Sequence, residues 1–133
     1  MATRADQLCE YCLIHEDHTF FGCEVDHIIS EQHGGVTRED NLAFACLVCN
    51  RTKGTNIASL SVTGRLTRLF NPRQDRWSEH FRLVGVTISP LTDTGWVTAQ
   101  ILGLNREDRI EEREVLREKG RYPTAMAWKR LVV

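Results

Sequence analysis

Between Phe20 and Ile29 the chain is rich in aromatic and β-branched residues, which predicts a strand with Val25, His27 and Ile29 on one face and Glu24, Asp26 and Ile28 on the other. Neighbours in a regular strand point to opposite sides, so Asp26 and His27 can serve one site only if the strand bends or ends there. The polar stretch Ser30 to Asp40 surrounds Gly34-Gly35 and reads as the turn region before a second strand, Leu42 to Cys46, opened by Asn41. Asn50 to Asn56 follows as a short helix that sets Asn50 and Lys53 on one face, one turn apart, although Gly54 weakens it. Strand, loop, strand and helix make a small β-β-α unit.

Beyond it, Ser61 to Leu66 reads as a turn into Leu69 to Pro72. Val84, Val86 and Ile88 alternate with small or polar residues, and Trp96 to Leu102 reads as a second β-like run, so the two predict a hairpin. Leu104-Asn105 opens a helix toward Lys119 whose balanced acids and bases mark a solvated face. Gly120 ends it, and Pro123 begins a last short helix through Trp128. No linker, repeat or low-complexity stretch separates the halves. The pattern predicts an α+β fold with a core in residues 1–58 and a C-terminal extension, a β-hairpin and helices in residues 59–133, packed on that core in one compact unit.

A chain of 133 residues fits one domain with a modest core. Its apolar content of 41% and charged content of 26% are those of a globular protein. No apolar run approaches the ~18 residues needed to span a membrane. Met1 to Asp6 lacks the apolar centre of a signal peptide. An intracellular, cytoplasmic protein with no membrane partner is expected. The net charge of −1 is not the global signature of a nucleic-acid binder, so any such contact must come from local basic patches and a bound cation.

Five cysteines in a reducing compartment, four of them in two Cys-x-x-Cys pairs, point to a metal rather than to disulfides. Cys9-Glu10-Tyr11-Cys12 has the spacing at which two thiolates of one tight turn reach the same zinc ion, and Cys46 to Cys49 repeats it. A closed tetrahedral zinc site is expected from Cys9, Cys12, Cys46 and Cys49, holding the base of the subdomain inserted between the pairs. Cys23 is left over as a small residue of the strand. His15 and His18 have no second ligand at a recognisable spacing and read as loop residues, as does His33 beside the glycine pair.

The first half carries a further series in order: Val25-Asp26-His27-Ile28, His33-Gly34-Gly35, Asp40-Asn41-Leu42, then Cys46 to Asn50 and Lys53-Gly54. Alone, Asp26-His27 would pass for an ordinary surface pair. Within this series, and after Cys9 to Cys12, the chain resembles the HNH endonuclease family, in its zinc-stapled form with asparagine at the last signature position. The resemblance implies a ββα-metal (His-Me finger) core stapled by the four-cysteine zinc knuckle. It also implies that His27 is the general base, that Asp26 and Asn50 hold one catalytic divalent cation, and that Asn41 braces the loop and orients the histidine. Many relatives have histidine where this chain has Asn50. A carboxylate with an amide oxygen favours a hard cation, Mg²⁺ or Mn²⁺, over zinc.

Elementary chemistry agrees with those roles. A phosphodiester repels nucleophiles, so its hydrolysis needs a base of near-neutral pKa and a cation to absorb developing charge. Arg51 or Lys53 on the helix would pair with a neighbouring phosphate. Between Ser61 and Arg82, the arginines 65, 68, 73, 76 and 82 interleave with Phe70, Trp77 and Phe81. This is either a DNA-backbone surface, with Arg73 and Arg76 as contacts, or arginines stacked on aromatics to close a small core. Leu69 to Arg73 with Arg76 to Phe81 resembles the tail of many small bacterial members of the family.

The expectation is a metal-dependent DNA endonuclease acting on double-stranded DNA, nicking with low sequence selectivity and leaving a 5′-phosphate and a 3′-hydroxyl. Two alternatives stay open at this point: a non-catalytic zinc-stapled nucleic-acid or protein-binding module, and a nuclease directed at RNA. Oligomeric state is undetermined.

Overall fold

The computed structural model describes residues 2–132. The outer ends of the two expected regions, Met1 and Val133, lie outside the described residues. Three two-stranded antiparallel hairpins alternate with helices in a mixed α+β arrangement. The first hairpin pairs β1 (Cys23–His27) with β2 (Leu42–Cys46), and α1 (Leu47–Lys53) follows directly. The second joins β3 (Ala58–Leu60) to β4 (Leu66–Arg68). After the single turn α2 (Trp77–His80), β5 (Phe81–Val84) pairs with β6 (Thr87–Pro90), and α3 (Asp93–Leu102), α4 (Glu107–Glu118) and α5 (Trp128–Leu131) complete the chain.

β1 is shorter than its composition suggests. Gly22 sits at φ +75° and turns the chain before the strand, leaving Phe20 and Phe21 outside it and exposed. The strand ends at His27, with Asp26 opposite Ala43 and His27 opposite Leu42 as successive register pairs. In β2, Ala43 to Cys46 are buried because both edges are occupied. β1 pairs along one, and on the other the Glu10 amide donates to the Phe44 carbonyl at 2.8 Å while Glu10 Oε1 accepts the Phe44 amide at 2.9 Å. The loop between the strands needs its glycines. Gly34 adopts φ +85°, and a Cβ on Gly35 would lie 1.7 Å from the Ile29 carbonyl oxygen.

α1 begins earlier than the sequence suggests, at Leu47, because the Cys46 thiol caps it by accepting the Cys49 amide. Gly54 ends it, as the breaker residue requires.

The largest departure concerns Trp96 to Leu102, expected as a strand and found inside α3. The Thr92 hydroxyl accepts the Gly95 amide at the N-cap, and Gly103 in the left-handed conformation closes the C-terminus. Those caps outrank the β-prone composition between them. The hairpin is instead made by β5 and β6, turning at Gly85 with φ +62°. Asn105 clamps β6 by accepting the Ile88 amide at 2.9 Å and donating to the Ile88 carbonyl at 2.7 Å. The Ser61 to Leu66 turn closes a hairpin, β3–β4, rather than leading straight into the next segment.

One hydrophobic core runs through both halves. It contains Leu8, Tyr11, Ile14 and the four zinc-knuckle cysteines together with Phe70, Trp77, Phe81, Val97, Leu102 and Leu116. Phe70, Trp77 and Phe81 stack within it, with Phe70–Phe81 centroids 5.4 Å apart and Trp77–Phe81 centroids 5.1 Å apart. The aromatics among the arginines therefore close a core and offer no stacking face to a base. The tail also grips the knuckle by hydrogen bonds. Trp77 Nε1 donates to the Tyr11 carbonyl at 2.9 Å and the Tyr122 hydroxyl to the Cys12 carbonyl at 2.8 Å. No helix among the described residues is long and apolar enough to cross a membrane.

Candidate metal centre and hydrolytic site

Cys9, Cys12, Cys46 and Cys49 converge from the N-terminal turn and the β2–α1 junction, with all four Sγ atoms within 4.8 Å of one another and all four residues buried. Each is a free thiol. A zinc tetrahedron with Zn–S near 2.3 Å has edges of about 3.8 Å. The Cys12–Cys46 sulfur separation is 3.8 Å. The Cys12 amide points at Cys9 Sγ and the Cys49 amide at Cys46 Sγ, both at 3.5 Å, which is how a Cys-x-x-Cys turn presents two thiolates to one ion. Four soft, closed-in thiolates suit a structural zinc and leave no position for substrate. Hydrogen bonds from Cys12, Cys49 and Cys9 hold the Cys46 thiol far below its ordinary pKa.

A fifth residue belongs to this site. Arg109 of α4 is 3% exposed and directs Nη2 at Cys12 Sγ (3.1 Å), Cys46 Sγ (3.6 Å) and Cys49 Sγ (3.9 Å). Burial alone would lower its pKa, but the neighbouring thiolates outweigh that and raise it. A zinc ion bound by four thiolates carries two negative charges, and a buried guanidinium offsets part of that charge where no water can. Sequence reading missed Arg109 because α4 looks uniformly charged. It lies buried, like Arg113 one turn on, on the same inward side as Leu116, and charge counting cannot detect that side.

Along the open face of β1–β2–α1 the residues expected at a hydrolytic site are distributed as follows. Glu24 and Asp26 share the face of β1 that meets α1. Glu24 Oε1 accepts from Asn50 Nδ2 at 2.6 Å, and Asp26 Oδ2 lies 3.3 Å from Lys53 Nζ. The second oxygens, Asn50 Oδ1 and Asp26 Oδ1, have no hydrogen-bond partner among the described residues. Asp26 and Asn50 are thus brought to one side, each with a free oxygen, which suits a hard cation. Glu24, not singled out as a site residue beforehand, fixes which end of the amide faces outward.

Lys53 does not occupy the position expected of a phosphate contact. It is 2% exposed and spends its ammonium on Asp26 and on the His27 carbonyl, 3.1 Å away. A four-residue spacing past Cys49 turns it inward under the strand, whereas Arg51 on the same helix is exposed. Arg76 is exposed, and Arg73 is mostly buried in an ion pair with Glu10.

His27 Nε2 lies 2.8 Å from the Thr37 hydroxyl, a partner in the loop that sequence spacing gave no means of finding. In the tautomer that donates Nε2–H to Thr37, Nδ1 carries the lone pair. No contact among the described residues joins the ring to Asp26 or Asn50. Asn41 spends its whole amide on the loop backbone. It accepts the Ile29 amide and donates to the Ile29 and Val36 carbonyls, all at 2.9 Å. It therefore acts on the loop that carries Thr37. His15 caps the short 3-10 turn Glu16–His18, and His33 is exposed at the end of a second 3-10 turn, Glu31–His33, between the strands.

Residues 9–56 match the family model for the HNH endonuclease. No curated protein and no solved structure matches the chain.

Proposed function

With residues 9–56 carrying the HNH endonuclease signature, we propose that this protein is a metal-dependent endonuclease that hydrolyses phosphodiester bonds of double-stranded DNA, one strand at a time and with little sequence selectivity. The observation that supports the reading is the pair of oxygens, Asp26 Oδ1 and Asn50 Oδ1, without a hydrogen-bond partner among the described residues, on side chains held by Lys53 and Glu24.

Asp26 and Asn50 would hold the Mg²⁺ or Mn²⁺ ion. When bound, such an ion polarises the scissile phosphate and stabilises charge on the leaving oxygen. The remaining work belongs to the side chains. His27 Nδ1 takes a proton of the attacking water as its oxygen bonds to phosphorus and the P–O3′ bond breaks; the departing O3′ takes a proton from solvent water, which leaves a 5′-phosphate and a 3′-hydroxyl. Thr37, 2.8 Å from Nε2, would accept Nε2–H and so leave the Nδ1 lone pair that this requires. Asn41 holds the loop closed over residues 29 to 36, and so positions Thr37 without touching the reaction. Arg51, exposed beside Asn50, is the proposed contact to a flanking phosphate. Cys9, Cys12, Cys46 and Cys49 would hold a structural zinc at the β2–α1 junction, and β2 pairs with the strand that carries Asp26 while α1 carries Asn50.

The test is conversion of supercoiled plasmid to open-circular and linear forms by zinc-loaded protein, with and without added Mg²⁺ or Mn²⁺, beside His27→Ala. Cation-dependent nicking that falls by at least about 10²-fold in the variant is expected. Equal cleavage by both proteins would assign the chemistry elsewhere. Inertness of both toward DNA but cleavage of an RNA duplex would move the reading to RNA.

A further inference from the structure

Three segments remote in sequence meet in a groove of about 490 Å³: the N-terminal turn with Arg4, the 71–76 loop with Arg73 and Arg76, and α5 with Lys129 and Arg130. Five cations line it against two carboxylates, Glu10 and Asp75, and both acids are already engaged. Asp75 receives a bidentate pair of hydrogen bonds from Arg68 at 2.6 and 2.8 Å. Glu10 is committed to Arg73 and to the Phe44 amide. Arg130 is in turn paired with Asp6 at 2.6 Å, so the groove's charge excess rests on Arg76 and Lys129, in a chain whose net charge is −1.

The cations are crowded as well as numerous. Arg130 Nη2 lies 3.4 Å from the Arg4 carbonyl, and the Arg73 pKa is held down to about 10 by burial and then by the charges of Arg4 and Arg130. Arg73 Nε is buried without a partner among the described residues. Arg76 and Lys129 are exposed and make no ion pair among the described residues. Clustered guanidiniums with an unmet buried donor are stabilised by an anion with several acceptor oxygens.

The groove lies close to the hydrolytic site. Arg4 Nη2 donates to the Leu42 carbonyl at 3.1 Å, and Leu42 is the register partner of His27 across the β1–β2 hairpin. Glu10, which also lines the groove, bonds Phe44 on the outer edge of β2, so the groove adjoins the side of β2 away from the strand that carries the base. Phe70 and Trp77 contribute to its wall but are buried in the core, so nothing there stacks on a base. The recognition available is to phosphate alone.

We propose that this groove, floored by Arg73 and rimmed by Arg76, Lys129 and Arg130, binds the phosphodiester backbone of the nucleic acid beside the cleavage site and so sets where the strand lies relative to His27. The assignment rests on the nuclease reading for its substrate class. It also accounts for low sequence selectivity, since phosphate contacts position a duplex without reading it.

The experiment is fluorescence anisotropy of a labelled DNA duplex with zinc-loaded full-length protein, titrated between ~50 and ~200 mM KCl, where backbone contacts show as salt dependence. The Arg76→Gln/Lys129→Gln double variant removes two charges that support no internal contact, and Arg65→Gln/Arg82→Gln removes two exposed charges outside the groove. Affinity is expected to fall about 10-fold or more in the first variant, with the slope of log K against log[KCl] smaller by about 2, while the second stays near wild type. Equal losses in both variants would show a general charge effect and overturn the groove. So would unchanged binding by the first variant. Because binding is read without cleavage, an inactive wild type whose binding still depends on Arg76 and Lys129 would sink the nuclease reading and spare the groove. An active wild type with groove-independent binding would do the reverse.

Discussion

Lys53 shows how much one residue's role depends on the direction it faces. On the surface of α1 it would be one more phosphate contact. Buried, it compensates Asp26 and holds the last carbonyl of β1. Lys53→Met leaves that carboxylate partly buried and uncompensated, and should destabilise the fold by roughly 2–4 kcal/mol in urea denaturation at neutral pH, a little less than a fully buried broken pair because Asp26 keeps some water. A phosphate-contacting lysine would behave differently, leaving stability intact and lowering the salt dependence of binding. Unchanged stability would therefore return Lys53 to the interface. Asn41 makes the same point. The residue type was legible, but its partners, Ile29 and Val36, are contacts that only the folded loop defines.

At the scale of elements, α4 is the piece whose function the chain conceals. It presents charge on most of its surface, yet Arg109 reaches the zinc-binding thiols from the far half of the protein. Arg109→Leu keeps the bulk and removes the charge, and zinc retention in competition with a chromophoric chelator should weaken by about 10- to 100-fold, as for other residues that support metal ligands. Retention equal to wild type would make Arg109 a packing residue only. α3 and β1 illustrate the limits of composition. Trp96 to Leu102 is β-prone but helical because Thr92 and Gly103 cap it, and Phe20-Phe21 is β-prone but outside β1 because Gly22 turns the chain. Local cap and turn chemistry prevailed over side-chain preference in both places.

For the whole molecule, the shared core and the Arg109, Trp77 and Tyr122 contacts tie the tail to the zinc knuckle. Stripping zinc with a strong chelator should therefore do more than unravel residues 9–56. Near-ultraviolet circular dichroism of Trp77 and its neighbours should be lost together with the knuckle, in one transition at lower temperature, and be regained when zinc is restored. Two separate transitions, with the tryptophan signal surviving the metal's removal, would show that the halves fold independently.

What the sequence alone determined is what local spacing can encode: two Cys-x-x-Cys turns aimed at one ion and the β-β-α order, with the roles proposed for Asp26, His27 and Asn50 coming from the family resemblance. The tertiary structure decided which atoms of those residues stay available, through Glu24 behind Asn50, Lys53 behind Asp26 and Thr37 beside His27. It also brought Arg109 to the thiols and gathered Arg4, Arg73 and Lys129 into one groove. Motif spacing reports bonds within a turn or two of chain, whereas burial and long-range pairing depend on which distant surfaces meet. A charged residue read in isolation looks the same whether it faces water, a thiolate or a phosphate.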